Sequence, residues 1–386
     1  MGFPWDGSRE SRPREKRSKK VLREGKIGVF EAISVVLTSI VVKVFFASPR
    51  QLTETVGPAG WLVHVIAVSA ALVGFLLISL LMKRFSGQDL VSVLETVFGK
   101  IAGNLISLIL AAVILFNAVL FTREFSEAVK AYIFPSTPPS MIMIFFLAPV
   151  LLMSYLGFES LVKTVSSFVW IILISFISIL ILSGPQYNFS NLFPLFDGGI
   201  GHVAITALNR TLVYGDILVL TVFINSLQGF GHFKKAGLTA VIISGLFLIS
   251  GFLAYNMSFP RSVASENAIP AYAITRAIEF GTFFHRFDPI YVFIWSISAM
   301  LAVGVNLYAF ISIYCKVFRI EDQKPLVLPL GIILFSIGIL MPSTTVIVSL
   351  LGLLRSSGWS IYFGIPLLAL LIAAARGKRG VKSDAQ

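Results

Sequence analysis

The stretch WLVHVIAVSAALVGFLLISLLM, residues 61–82, runs without a single Asp, Glu, Lys or Arg. As a helix it is about 33 Å long at ~1.5 Å per residue, enough to cross the roughly 30 Å hydrocarbon core of a bilayer. Nine stretches of 18 or more residues carry none of these charges, or only one or two. Most of a globular surface must meet water, so nine such runs exclude a soluble protein. Composition agrees: 56% of the 386 residues are hydrophobic and only 13% charged, with a mean hydropathy of +0.88. The chain is read as an all-α polytopic membrane protein, and its function rests on the few polar residues left inside.

Ten transmembrane helices are expected, at about 27–48, 61–82, 101–122, 140–158, 164–183, 202–227, 236–259, 288–316, 325–341 and 358–375. The third is expected to continue past the membrane to Ile133. The net charge of +12 sits mainly at the ends of these spans and in residues 1–26, which hold Arg9, Arg12, Arg14, Lys16, Arg17, Lys19, Lys20, Arg23 and Lys26. That placement reads as membrane orientation and not as a nucleic-acid surface. With the N-terminus inside, cytosolic segments also collect Lys83, Arg84, Lys100, Lys234, Lys235 and Lys316, among others, while the outer side keeps few. Both termini are therefore expected in the cytosol. The basic tail is a solvated orienting segment, or a contact with anionic lipid at about 1 kcal/mol per Lys or Arg. A cleavable leader would show a shorter basic region and a small-residue cleavage site, so the first apolar run is read as a retained helix. The single cysteine, Cys315, excludes an internal disulfide framework.

Five is odd, so a five-plus-five division makes the second half enter the membrane from the opposite face, as an inverted repeat requires. The expected organisation is a basic tail over 1–26, a first five-helix repeat over 27–183 and an outer loop over 184–201. A second repeat follows over 202–375 and a basic tail over 376–386. The long outer connection at about 260–287 is polar enough for an interfacial helix and offers a partner surface. Asp288-Pro289 reads as a helix start.

Asp216 is the sharpest polar residue. It lies about 14 residues into the sixth span, roughly 21 Å along the axis at ~1.5 Å per residue, out of reach of either interface. An ionised carboxylate there costs at least about 2.5–3.5 kcal/mol unless it is paired, protonated or facing water. Gly215 beside it is a weak helix former, so Leu212-Val213-Tyr214-Gly215-Asp216 is a candidate break. The alternative is a continuous helix with Asp216 held by a neighbouring hydroxyl or amide. Thr38-Ser39 takes the matching place in the first span, although that span has no glycine after Gly28 and no proline before Pro49. Lys43 has two readings. Its stem can carry the ammonium to the outer interface near Pro49, or its fixed charge stands in for a coupling cation. Asn117 either joins two helices or lines a cavity. Tyr291 and Trp295 are explained by an interfacial aromatic belt.

Other signals fall away. Gly199-Ile-Gly201-His-Val-Ala204 has the letters of a dinucleotide fingerprint but lies in an outer loop with no preceding strand. His64, His202, His232 and His285 show no metal-ligand spacing, and no catalytic set is evident. No enzyme activity, metal, cofactor or nucleic-acid partner is expected.

Several short stretches, in order, carry a resemblance. They are Gly99-Lys100 opening the third span, Arg123-Glu124-Phe125 at its outer end, and Gly157-Phe158-Glu159 closing the fourth. Arg286-Phe287-Asp288-Pro289-Ile290, leading into Trp295 of the eighth, is the last. With the ten-span plan, the chain resembles the B subunits of spore germinant receptors, permease-like proteins of the amino acid–polyamine–organocation superfamily. The resemblance implies a five-plus-five inverted repeat of the LeuT type, with the first and sixth helices open to interruption. It implies a small-molecule pocket formed by Thr38, Ser39, Val42, Phe116, Asn117, Val213, Tyr214, Gly215, Asp216, Tyr291, Trp295 and Ser298. It also implies a spore inner-membrane location and two partner subunits, one with a soluble domain and one a lipoprotein. Three functions follow as expectations. The first is a sensor that binds a nutrient, an amino acid, and signals germination. The second is an amino-acid permease with proton- or sodium-coupled alternating access. The third is a membrane scaffold with a vestigial pocket.

Overall fold

A computed structural model describes residues 25–45, 48–196, 199–267, 269–278, 288–341 and 344–380. The basic tail expected over 1–26 falls almost wholly outside the described residues, as do Arg286 and Phe287 of the last quoted stretch. Helices α1 (Val29–Val41), α2 (Ser48–Val56), α3 (Gly60–Arg84), α4 (Leu90–Phe98), α5 (Lys100–Tyr132), α6 (Pro139–Leu156) and α7 (Phe158–Leu182) come first. Then follow α8 (Ile200–Arg210), α9 (Val219–Val222), α10 (Phe230–Ser258), α11 (Arg261–Ala264), α12 (Pro270–Ala277), α13 (Asp288–Phe318), α14 (Lys324–Ile339), α15 (Thr344–Trp359) and α16 (Ile365–Ala375). Among the described residues, eight helical stretches are long and apolar enough to cross a membrane, and α1 and α14 are shorter apolar helices.

Three helices were not expected from the sequence. The connection between the first two expected spans contains most of α2, Ser48–Val56. Residues 83–100, read as a connection, contain α4, whose N-cap Asp89 accepts a bond from the Ser92 amide at 3.0 Å. Residues 342–357, also read as a connection, are mostly α15. It runs through a π turn at Ser360–Gly364 into α16, so the last span is Thr345–Ala375 rather than 358–375. Gly358 serves close packing, because a Cβ on it would lie 2.7 Å from Leu212. The long outer connection folds as the two short helices α11 and α12 in its described part.

The bundle has two groups. Helices α3 and α10 pack on each other and against α1 and α8, while α5, α6, α13 and α14 pack among themselves. Outward-facing Ile101, Phe145, Trp170, Ile174, Leu246 and Leu328 are exposed. In a membrane these side chains meet hydrocarbon, which needs no covering. Inside, small residues bring backbones together. A Cβ on Gly103 of α5 would stand 2.6 Å from both Glu95 Cα and Leu94 O of α4. Backbone cannot yield as a side chain can. Gly103→Ala is therefore expected to cost about 1–3 kcal/mol, read as a lower unfolding midpoint in detergent. Gly352→Ala, with open space at its Cβ, serves as the neutral control.

Gly99 and Gly157 each join two helices through a single residue, with φ of +90° and +96°. Only glycine takes such angles without strain, which gives the quoted Gly99-Lys100 and Gly157-Phe158 stretches a physical basis.

The first and sixth spans both leave α geometry midway. The first continues from α1 as a 3-10 turn over Val42–Phe45, and the sixth runs as a 3-10 helix over Thr211–Leu218 between α8 and α9. The departure in the first span comes at Val42, not at Thr38-Ser39, and both segments overwind rather than open. Every residue from Thr211 to Leu218 is buried.

Candidate functional site

The two overwound segments meet at an ion pair. Lys43 Nζ donates to Val213 O at 2.9 Å and lies 2.9 Å from Asp216 Oδ2, with the Asp216 side chain 2% exposed. The lysine thus turns into the protein, correcting the expectation that it reaches for the outer interface. The physical reason is local. A deeply buried carboxylate and a nearby ammonium each remove the other's unpaired charge.

Beside this pair is a small cavity of ≈ 50 Å³, lined by Lys43, Asn117, Phe121, Glu124, Leu212, Val213, Asp216, Leu351, Leu354 and Tyr362. A water needs about 10–15 Å³ on this measure, so the space holds roughly three to five waters and no amino acid. On α5, Asn117, Phe121 and Glu124 follow one another at spacings of four and three, which puts them on one helix face. Tyr362 reaches the cavity from the π turn, and its ring packs over Gly215, where a Cβ would lie 2.8 Å from Tyr362 Cδ1.

Of the residues expected at the pocket, Lys43, Asn117, Val213 and Asp216 line the cavity, with Gly215 directly behind Tyr362. The others stand apart. Ser39 Oγ bonds back to Val35 O at 3.0 Å, Thr38 is buried on α1, and Val42 is buried on the 3-10 turn. Tyr214 packs edge-on to His64, with ring centroids 6.4 Å apart. Phe116 is partly buried and does not line the cavity. Tyr291 and Trp295 are buried rather than in a headgroup belt. They stack on each other at 6.2 Å, and Trp295 packs on Phe125 at 4.8 Å. Ser298 Oγ bonds Ile294 O within its own helix at 2.7 Å.

Six lining residues were not anticipated: Phe121, Glu124, Leu212, Leu351, Leu354 and Tyr362. The helical spacing from Asn117 signals Phe121 and Glu124, whereas nothing in sequence points to Tyr362. Consecutive residues of Arg123-Glu124-Phe125 divide the labour. Arg123 Nη2 bonds Met341 O at 3.2 Å and pairs with Glu127 at 2.7 Å, Glu124 faces the cavity, and Phe125 packs between Trp295 and Phe146.

At the far end of the sixth span, Lys316 Nζ donates to Val222 O at 2.6 Å and lies 3.6 Å from Asp89 Oδ2. This ties α9 to α13 and α4. A larger cleft of ≈ 930 Å³ lies between α5, α6, α12 and α13, but the described residues that line it are mostly apolar, with Arg276 and no acid among them. The paired charges make the small cavity the better candidate. No group of His, Cys, Asp and Glu suited to a metal occurs among the described residues.

The structure resembles a Na+-coupled sialic acid symporter in its substrate-bound outward-open state, with a TM-score of 0.67 at 12% identity, covering 94% of this chain and 92% of that one. It also resembles Mhp1, a nucleobase-cation-symport-1 family transporter, in a closed conformation with bromovinylhydantoin bound. There the TM-score is 0.65 at 14% identity, covering 90% and 80%. These likenesses fix a LeuT-type transporter fold. In sequence, the spore germination protein YndE of Bacillus subtilis (strain 168) is 24% identical over 368 residues, 92% of this chain and 98% of the relative. Spore germination protein B2 of the same organism is 22% identical over 274 residues, 71% and 74% of the two chains. The profile of the spore germination protein family matches residues 26–346. Extending over most of the chain, that match makes the protein a member of the spore germination protein family.

Proposed function

We propose that this chain is the membrane-embedded sensing subunit of a spore germinant receptor. A small nutrient, an amino acid, enters the cavity beside Lys43 and Asp216. The resulting change of conformation passes to a membrane subunit with a soluble domain and to a lipoprotein. Residues 27–183 and 202–375 act as the two inverted repeats, with both termini in the cytosol. The observation carrying this reading is the buried ion pair where the two overwound segments meet. A ligand that engages it differently in two conformations shifts their populations, whereas one with equal affinity for both would move nothing. The Lys316 contact with Val222 O gives the far end of the sixth span a mechanical link to α13 and α4.

The fold's likeness to a Na+-coupled symporter favours one second reading, a permease working by coupled alternating access. Proteoliposomes containing this chain alone separate the two. Saturable binding of labelled amino acids without accumulation is expected. Accumulation above the outside concentration would replace the sensor with a permease, and absence of any binding would leave a scaffold.

A further inference from the structure

A primary ammonium already occupies the cavity wall, and it belongs to the protein. Lys43 Nζ takes one carboxylate oxygen of Asp216 and the carbonyl of Val213, each at 2.9 Å. A carboxylate together with a carbonyl is the acceptor set that the α-ammonium of an amino acid would seek. We infer that Lys43 is a tethered occupant of the ligand's ammonium subsite, and that binding proceeds by exchange of ion pairs. The incoming ammonium takes Asp216 and Val213 O, and the displaced Lys43 ammonium takes the incoming carboxylate. The inference rests on the reading that this cavity receives an amino acid.

Charge dictates the exchange. In this structure the Lys43–Asp216 pair is internally neutral, and a zwitterion inserted between its members leaves two neutral pairs. A ligand with only an ammonium would evict Lys43 from Asp216 and Val213 O and bring it no carboxylate in exchange, leaving Glu124 as the other acid among the described residues that line the cavity. A ligand with only a carboxylate would draw Lys43 away and strand Asp216. Leaving one member of a buried pair alone is strongly unfavourable, enough to weaken binding by about a hundredfold or more. The site thereby selects for both charged groups on one molecule before any side chain is read. The space of ≈ 50 Å³ holds no amino acid as it stands, so the exchange goes with a movement of the cavity wall as well as of Lys43.

The test uses matched sets of three probes on the full-length protein in detergent: L-alanine with ethylamine and propionate, L-leucine with isoamylamine and 4-methylpentanoate, and L-phenylalanine with phenethylamine and 3-phenylpropionate. Binding is followed by thermal shift and by competition with labelled amino acid. Wild type is expected to bind at least one amino acid and to bind its amine and acid relatives about a hundredfold more weakly or worse. Lys43→Met should reverse the order, binding the amine tightly and losing the amino acid by a similar factor. Asp216→Asn supplies the mirror result should Lys43→Met fail to fold, with the acid now preferred. Lys43→Met or Asp216→Asn protein that keeps the wild-type order of the three probes would overturn the exchange alone. Amine binding to wild type as tight as amino-acid binding would do the same. Failure of wild type to bind any amino acid would remove the sensing reading, and the exchange with it.

Discussion

Asp216→Ala is expected to lower the stability of the solubilised protein by about 3 kcal/mol. The change leaves Lys43 without its carboxylate partner in a region where Asp216 itself is 2% exposed. Breaking a buried pair by removing one member costs about 3–5 kcal/mol. The lower end applies because the lysine side chain keeps 16% exposure and retains the Val213 carbonyl. Lys43→Ala should cost a comparable amount, and the double variant much less than the two together. That non-additivity is the signature of direct coupling. Thermal unfolding of the four proteins measures it. Additive losses would mean that the two residues are stabilised by separate partners. Membrane insertion of Asp216→Ala should be normal, since an intramembrane charge has been removed.

Gly215→Leu is expected to abolish most amino-acid binding. A Cβ at this position already falls 2.8 Å from Tyr362 Cδ1, and the rest of the leucine side chain has nowhere to go except against that ring. Tyr362 lines the cavity, so the clash is relieved at the expense of the binding space. Overpacking of about 1–3 kcal/mol borne by the bound state corresponds to a roughly 5- to 150-fold loss of affinity. Gly215→Ala should show a smaller loss of the same sign. Equilibrium binding of labelled amino acid reads both, and unchanged affinity in Gly215→Leu would place the ligand elsewhere.

Much of the fold is legible because hydropathy reports directly on the solvent each segment meets. Residues 61–82 and 140–158 could be placed within about two residues of α3 and α6 on that ground alone. Hydropathy says nothing, however, about helices that pack inside the bundle edge. Leu90–Phe98 is too short to signal a span, and Gly358, where the last span is expected to begin, lies within a helix and packs against Leu212. At the site, Asp216 and Gly215 stand out because a mid-span acid is costly and a mid-span glycine is weak. Their partner does not stand out. Lys43 lies close enough to Pro49 for either direction, and only tertiary structure turns it inward. Tyr291 and Trp295 show the converse. Aromatic character near a span end suits a headgroup belt equally well, yet here it fills space against Phe125. The 3-10 turn of the first span also escapes sequence, since Val42–Phe45 contains no residue that disfavours an α-helix strongly, whereas the 3-10 segment Thr211–Leu218 covers the candidate break around Gly215.

The π turn at Ser360–Gly364 has a consequence for how relatives diverge. Its i→i+5 bonding accommodates one residue more than an α-helix would in the same place. Deleting a single position there would restore plain α geometry with the two ends nearly in phase and resettle only the residues of the turn itself, carrying the Tyr362 ring off Gly215. Homologues could then acquire differently shaped chambers through a three-nucleotide indel, with every wall-forming amino acid retained and only its angular setting changed.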